Sequence, residues 1–193
     1  MKSICVYCGS SPGASEIYAS GARDLARVLV AHQISLVYGG GSIGLMGILA
    51  DEVLRLGGHV IGVIPKALMD KELGHTQLSK LHIVQNMHQR KALMSELSDG
   101  FIALPGGIGT LEELFEMFTW LQLGIHNKPL GILNINGFYD QLIEFLKHTV
   151  KTKFLASEQL DLLIKETDPE LLLQSLSNFH YTQIKKGLHL KDS

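Results

Sequence analysis

Ile34-Ser35-Leu36-Val37-Tyr38-Gly39-Gly40-Gly41-Ser42-Ile43-Gly44-Leu45-Met46-Gly47 is the stretch that decides the fold. It opens with a short apolar run of strand type, passes through a run of glycines, and continues into a helical pattern over Leu45–Leu56. Strand, glycine turn and helix make the unit from which parallel α/β sheets are built. Gly39, Gly41 and Gly44 satisfy G-x-G-x-x-G, and in this context backbone N–H groups and the helix dipole can meet an anion. A dinucleotide site also wants an acidic residue at the end of the next strand. Here that strand, Val60–Ile64, is followed by Pro65-Lys66, which speaks against a dinucleotide. The glycines also have a purely structural reading, tight turning and close packing.

The same alternation extends in both directions. Strands are predicted at Ile4–Tyr7, Ile34–Tyr38, Val60–Ile64, Leu81–Val84, Phe101–Leu104 and Leu130–Asn134, with a short last one at Leu162–Ile164. Helices are predicted at Glu16 to about His32, Leu45–Leu56, Met87–Leu97, Thr110–Leu123 and Tyr139–Val150, and a final one capped by Asp168-Pro169 and running through Leu176. Pro65 to Lys80 reads as a loop with at most a short turn of helix. Almost wholly apolar strands belong to a sheet covered on both faces. The fold class is therefore α/β: one doubly wound, mostly parallel, Rossmann-like sheet with helices on both faces. Residues 1–180 form a single domain, and 181–193 a polar, flexible C-terminal tail.

With 193 residues, 46% hydrophobic and 19% charged, the chain can bury a sizeable core. The formal net charge of −2 offers no basic surface for nucleic acid. No signal peptide and no run of the ~20 apolar residues needed to span a bilayer are recognisable, so a cytoplasmic location is expected. Cys5 and Cys8 form a C-x-x-C within and just after a strand rather than at a helix start. They read as buried bystander thiols, and no Cys/His group has zinc-like spacing.

In a doubly wound sheet, ligands bind beyond the carboxyl ends of the strands. Four of those ends carry suitable groups. After the first strand, the loop Cys8-Gly9-Ser10-Ser11 supplies small residues and hydroxyls, with Gly9 and Ser10 as the binding candidates. After the second, Gly40, Gly41 and Gly44 supply backbone N–H groups. After the fourth, Met87-His88-Gln89-Arg90-Lys91 places two cations at a helix start, where they oppose the dipole. An anionic ligand or a nearby carboxylate explains them better than local helix stability does. After the fifth comes Pro105-Gly106-Gly107-Ile108-Gly109-Thr110-Leu111-Glu112-Glu113, a second glycine loop at a helix start. Thr110 can cap that helix or contact a phosphate. Leu111, Leu114, Phe115 and Phe118 read as the core stripe of the helix, with Glu113 off it. Glu113 lies three residues beyond Thr110, nearly one turn, so a phosphate held at the loop would place its sugar near this carboxylate.

These motifs together, G-G-G-x-x-G-L-M-G at Gly39–Gly47, M-H-x-R-K at Met87–Lys91 and P-G-G-x-G-T-x-x-E at Pro105–Glu113, resemble the LOG ("Lonely guy") family. The resemblance extends from Cys8 to about Tyr139. Members are cytokinin riboside 5′-monophosphate phosphoribohydrolases, and bacterial ones are often labelled lysine decarboxylases. The resemblance implies Arg90 and Glu113 as the catalytic pair. It implies substrate binding by Glu72, Arg90, Lys91, the loop Gly106, Gly107, Ile108, Gly109, Thr110, Leu111 and Glu112, and Thr119. Members commonly carry Tyr where this chain has Ile108.

The implied reaction is hydrolysis of the N-glycosidic bond of a nucleoside 5′-monophosphate, with no metal and no cofactor. Positive charge develops on the ribose as that bond breaks, and a carboxylate is the group that suits it. Glu113 could stabilise the cation, activate water or attack the anomeric carbon. A lysine decarboxylase would need pyridoxal phosphate on a Schiff-base lysine, and no lysine has that context. The alternative from another class is a non-catalytic nucleotide-binding or carrier protein of the same fold. Met117, Trp120 and Leu121 extend the apolar surface of the Glu113 helix, and with the family resemblance they suggest a homodimer.

Overall fold

The computed structural model describes residues 1–71 and 74–181. Seven parallel strands form one sheet: β1 Ser3–Tyr7, β2 Ser35–Tyr38, β3 Val60–Pro65, β4 Lys80–Val84, β5 Gly100–Ala103, β6 Leu130–Leu133 and β7 Leu163–Glu166. Their order is β4-β3-β2-β1-β5-β6-β7. The chain winds outward from β1 in one direction, then returns to start β5 on the other side. The switch point thus lies between β1 and β5, whose register pairs Cys5 with Phe101 and Tyr7 with Ala103.

Helices α1 Glu16–Ala31, α2 Gly44–Arg55, α3 Lys66–Met69, α4 Met87–Glu96, α5 Ile108–Leu123, α6 Asp140–Lys151, α7 Ser157–Leu160 and α8 Pro169–Ser177 surround the sheet. Leu25, Leu29, Leu45, Leu49 and Leu172 pack on one face and Met94, Leu114, Phe118 and Leu146 on the other, so each face has its own buried cluster. Side chains alternate across a strand, and Cys5 and Cys8 accordingly fall into opposite clusters, both as free thiols. The helix starts follow the expected chemistry. The side chain of Ser15 caps α1, and Asp168 accepts from the Leu171 N–H at 2.9 Å with Pro169 as the first helical residue of α8.

Two short elements and the placement of α5 depart from the sequence reading. A 3₁₀ turn at Ile135–Gly137 and the short α7 carry too little periodicity to be read. Helix α5 begins at Ile108, two residues early, so its N-cap is Gly107 and Thr110 lies inside the first turn rather than capping it. Its core stripe is also rotated: Leu114, Met117, Phe118 and Leu121 are buried, whereas Leu111 and Phe115 are only half-buried. Met117 and Leu121 therefore serve the core and do not extend an outer surface. Glu113, expected off the stripe, lies on the buried side. The helix is apolar on nearly all sides, so periodicity alone cannot set its phase. Glu72 and the tail from Thr182 onward lie outside the described residues.

Candidate active site

Loops at the carboxyl ends of β1, β2, β3 and β5, with the start of α4, enclose a cleft of ≈ 380 Å³ over the switch point. Of the residues expected to bind a ligand, Gly9, Ser10, Gly41, Arg90, Gly107, Ile108, Gly109, Thr110, Glu112 and Glu113 line it. Gly40, Gly44, Lys91 and Leu111 do not line it, and Gly106 lines a smaller neighbouring cleft that shares Gly9, Ser10 and Gly107 with this one. Thr119 lies seven residues beyond Glu112, about 10 Å along α5, where its hydroxyl donates to the Phe115 carbonyl at 2.7 Å. The sequence reading missed the apolar side of the cleft: Ile43, Met46, Ile64, Leu68 and Met87; Cys8 and Gly39, from the two loops it did single out, line the cleft as well. Met46 and Met87 lie within the quoted motifs, and their place beside glycines and cations was the available signal.

The two glycine loops look alike in sequence but differ in what their N–H groups do. At α2, the carbonyl of Gly9 accepts from Leu45 N at 3.0 Å and from Met46 N at 3.3 Å. That helix start is already occupied by protein. Gly44, at φ +63° and with a notional Cβ 2.2 Å from the Ser10 carbonyl carbon, is needed for the loops to meet this closely. At α5, no side chain caps the helix, and Gly107, Ile108 and Gly109 are exposed at its start. A helix start of this kind presents unpaired N–H groups and the positive end of the dipole. The carbonyl of Pro105 accepts from Gly9 N at 3.1 Å and ties the loop to β1.

The cations resolve into ion pairs. Arg90 and Lys91 are each only 9% exposed, and Glu113 7%. An Arg90 terminal nitrogen lies 2.9 Å from Glu113 Oε1, while Arg90 Nε donates to the Val63 carbonyl at 3.2 Å. The guanidinium lies against Gly39, where a Cβ would fall 2.0 Å from its other terminal nitrogen. Lys91 Nζ donates to Glu112 Oε1 at 2.5 Å and to Glu116 Oε1 at 3.0 Å. The approach of Arg90 to Glu113 is close but poorly aligned, so the buried Oε1 accepts no hydrogen bond. Burial pushes the Glu113 carboxyl above its ordinary range; Arg90 pulls it down, and Glu112 adds to the rise. Burial also works to lower Lys91, but its bonds to Glu112 and Glu116 outweigh that and hold it above the usual lysine value. The Cys8 thiol is pushed up by burial and by the Glu113 charge, which keeps it neutral. Among the described residues, no group of three or more His, Cys, Asp or Glu is placed to hold a metal ion.

Fold and cleft together define a doubly wound α/β protein with an open helix start and a buried carboxylate–guanidinium pair at its switch point. A profile of the family described as "Possible lysine decarboxylase" matches residues 46–176. The chain is 48% identical over 178 residues to "Cytokinin riboside 5′-monophosphate phosphoribohydrolase LOG5" of Arabidopsis thaliana, covering 92% of this chain and 78% of that protein. It is 56% identical over 154 residues to the "Probable" enzyme of that name, LOG6, of the same plant, covering 80% and 77%. Over 190 residues it is 46% identical to the corresponding "Probable" LOGL3 of Oryza sativa subsp. japonica, covering 97% and 90%. Among solved structures, the molybdenum cofactor binding protein of Rippkaea orientalis superposes with a TM-score of 0.68 at 18% identity, covering 92% of this chain and 96% of that one. The molybdenum cofactor carrier protein of Chlamydomonas reinhardtii does so at 0.67 and 18%, covering 91% and 95%. Likeness at that identity speaks for the fold alone. The chain belongs to the LOG family, the family whose profile carries the decarboxylase description.

Proposed function

We propose that this protein hydrolyses the N-glycosidic bond of a nucleoside 5′-monophosphate, AMP or an N6-modified AMP of the cytokinin type, to free base and ribose 5-phosphate. One juxtaposition carries the reading: the uncapped start of α5 opens onto the same cleft as the Glu113–Arg90 pair, about one helical turn away. The names of the relatives support it. The phosphate sits on the N–H groups of the Gly107–Thr110 turn with Ser10 beside it. The ribose then lies over Glu112 and Glu113, and the base against Ile64, Leu68 and Met87.

In the reaction, the bond from the anomeric carbon to the base nitrogen breaks, with its electron pair leaving on the base, which takes up a proton. The oxygen of a water bonds to the anomeric carbon, keeps one hydrogen as the new hydroxyl and gives up the other, which balances the proton taken up by the base. The ionised Glu113 carboxylate faces the positive charge that develops on the ribose. Arg90 fixes the direction of that carboxylate. A decarboxylase reading has no support in the lining: among the described residues of the cleft there is no lysine, and Lys91 beside it is held by Glu112 and Glu116.

A cytoplasmic homodimer is part of this reading. Among the described residues, no helix is long and apolar enough to cross a membrane. Leu111, Phe115 and Trp120 are half-buried at the margin of the core, and Leu123 and Ile125 stand exposed at the end of α5 and in the turn after it, where the partner chain is placed in this reading. Light scattering at micromolar concentration should give the mass of two chains, and a monomeric mass would count against this part. The central test is base release from AMP, N6-prenylated AMP and adenosine. Monophosphates should be cleaved and the nucleoside left intact. Equal rates on AMP and adenosine would overturn the phosphate assignment, and monophosphate bound but never cleaved would favour a carrier.

A further inference from the structure

Glu116 has no place in the motifs, yet it lies one turn below Glu112 and Glu113 and reaches the same cluster. Its Oε1 accepts from Lys91 at 3.0 Å, and its Oε2 is buried with no hydrogen bond at all. Lys91, one residue after Arg90, is thereby spanned between Glu112 and Glu116. Leaving one buried carboxylate oxygen unpaired is costly. A solvated surface glutamate would turn that oxygen to water, so the arrangement calls for a local reason.

We propose that Glu116 is a positioning residue: it holds Lys91 against Glu112 and away from Glu113, so that among the described residues Arg90 is the one cation in ion-pair contact with Glu113. This rests on the reading of Glu113 as the reacting carboxylate. The groups facing Glu113 are Arg90 and Lys91 from α4, Glu112 and Glu116 from α5, and Tyr7, Cys5 and Cys8 from β1 and its end. The thiols and the phenol are neutral, pushed up first by burial. The charge balance at Glu113 is thus set by two cations and two neighbouring carboxylates. Were Lys91 free to swing to Glu113, it would fill the vacant place on Oε1 and hold the carboxylate in a stable ion pair. Such a pair binds less well to a developing ribose cation, because attraction already satisfied in the ground state does not lower the barrier.

The test is the pH dependence of turnover at saturating AMP in E116Q. Using kcat rather than kcat/KM keeps the free substrate phosphate, whose second ionisation lies near pH 6, out of the profile. Removing one negative charge a helical turn from Glu113, and releasing Lys91, should move the limb governed by Glu113 toward lower pH. A unit charge at ~6 Å and an effective dielectric constant between ~20 and ~80 gives a shift of about 0.5–2 pH units. E116D, which keeps the charge, should move the limb less than half as far. E116M fills similar volume without charge and carries the same expectation as E116Q should that variant fail to fold. A merely structural Glu116 would lower the melting temperature or the maximum rate and leave the limb where it is. A limb that stays in place, or moves to higher pH, in a folded E116Q or E116M overturns the proposal. E113Q separates the two failures. Turnover persisting there overturns the reading of the site itself; an inactive E113Q beside an unmoved limb in E116Q overturns only the role of Glu116.

Discussion

Glu113→Gln is the substitution in which chemistry and stability should part company. Gln keeps the shape and one acceptor oxygen, so the contact with Arg90 survives as a neutral one, and Arg90 Nε retains the Val63 carbonyl. What disappears is the charge opposite the ribose. A positioned carboxylate of this kind is worth ~10²–10⁴ in turnover, or about 2.7–5.4 kcal/mol of barrier. For stability the sign follows from the raised carboxyl of Glu113, which burial drives against the pull of Arg90. Desolvation exceeds attraction, so the folded state binds this proton more tightly than the unfolded chain does. Stability from this group is fully present below the unfolded pKa and is lost as pH rises from there through the folded one. To the extent that Glu113 is ionised the wild type carries this penalty, and the neutral variant carries none. Glu113→Gln should therefore melt no lower than wild type at pH 7, and its advantage should shrink as the pH is taken down through the carboxylate range. The assay pairs base release from AMP with a binding titration and thermal melts at several pH values; nucleotide binding should largely survive. Near-normal turnover would place the reacting carboxylate elsewhere. A melting temperature several degrees below wild type at pH 7 would mean that the pairing with Arg90 outweighs desolvation, against the argument above.

Three other substitutions probe the surroundings. Glu112→Gln should keep most of its turnover while raising KM, since Lys91 retains Glu116 and only the rim toward the ribose changes; a loss of turnover as deep as that of Glu113→Gln would contradict this. Gly39→Ala puts a methyl group where an Arg90 nitrogen now lies, 2.0 Å from the added carbon, so about a tenfold or greater loss of activity is expected with circular dichroism unchanged. Tyr139→Phe removes a buried hydroxyl that donates to the Leu104 carbonyl at 2.6 Å, just before the second glycine loop. That should cost about 1–2 kcal/mol, or ~2–8 °C in melting temperature for a domain of this size, and a shift under about one degree would show the bond to be unimportant.

What could be read from the sequence divides along physical lines. Central strands such as Leu36–Tyr38 and Phe101–Ala103 are apolar on both faces and punctuated by glycine, and their reading matched the sheet to within a residue. The edge strand β7 carries Lys165 and Glu166, because an edge tolerates polar residues, and its end was less legible. The pairing of Arg90 and Lys91 at a helix start violates the dipole preference, and the local anomaly pointed to carboxylates that the fold does place there. The phase of α5 was illegible because Leu111, Phe115 and Trp120 are as apolar as the residues that are buried. Which glycine loop is open was also illegible. The answer lies in the carbonyl of Gly9, far before Leu45 in sequence and brought to it only by the order β2-β1-β5.

Each oddity of this chain has an ordinary explanation by itself: glycines turn, glutamates favour helix starts, and paired cations can be solvated. The fold removes those explanations by bringing the oddities together. The glutamate in the first turns of α5 faces the core rather than water. The cations are buried against carboxylates from another helix. The glycine at the end of β2 has its side-chain space filled by a guanidinium. Every one of these arrangements gives up local stability, and all lie within a single cleft whose remaining wall is apolar. A chain that obeys the folding rules along both faces of its sheet and breaks them at the carboxyl edge of that sheet is one in which that edge answers to something other than folding.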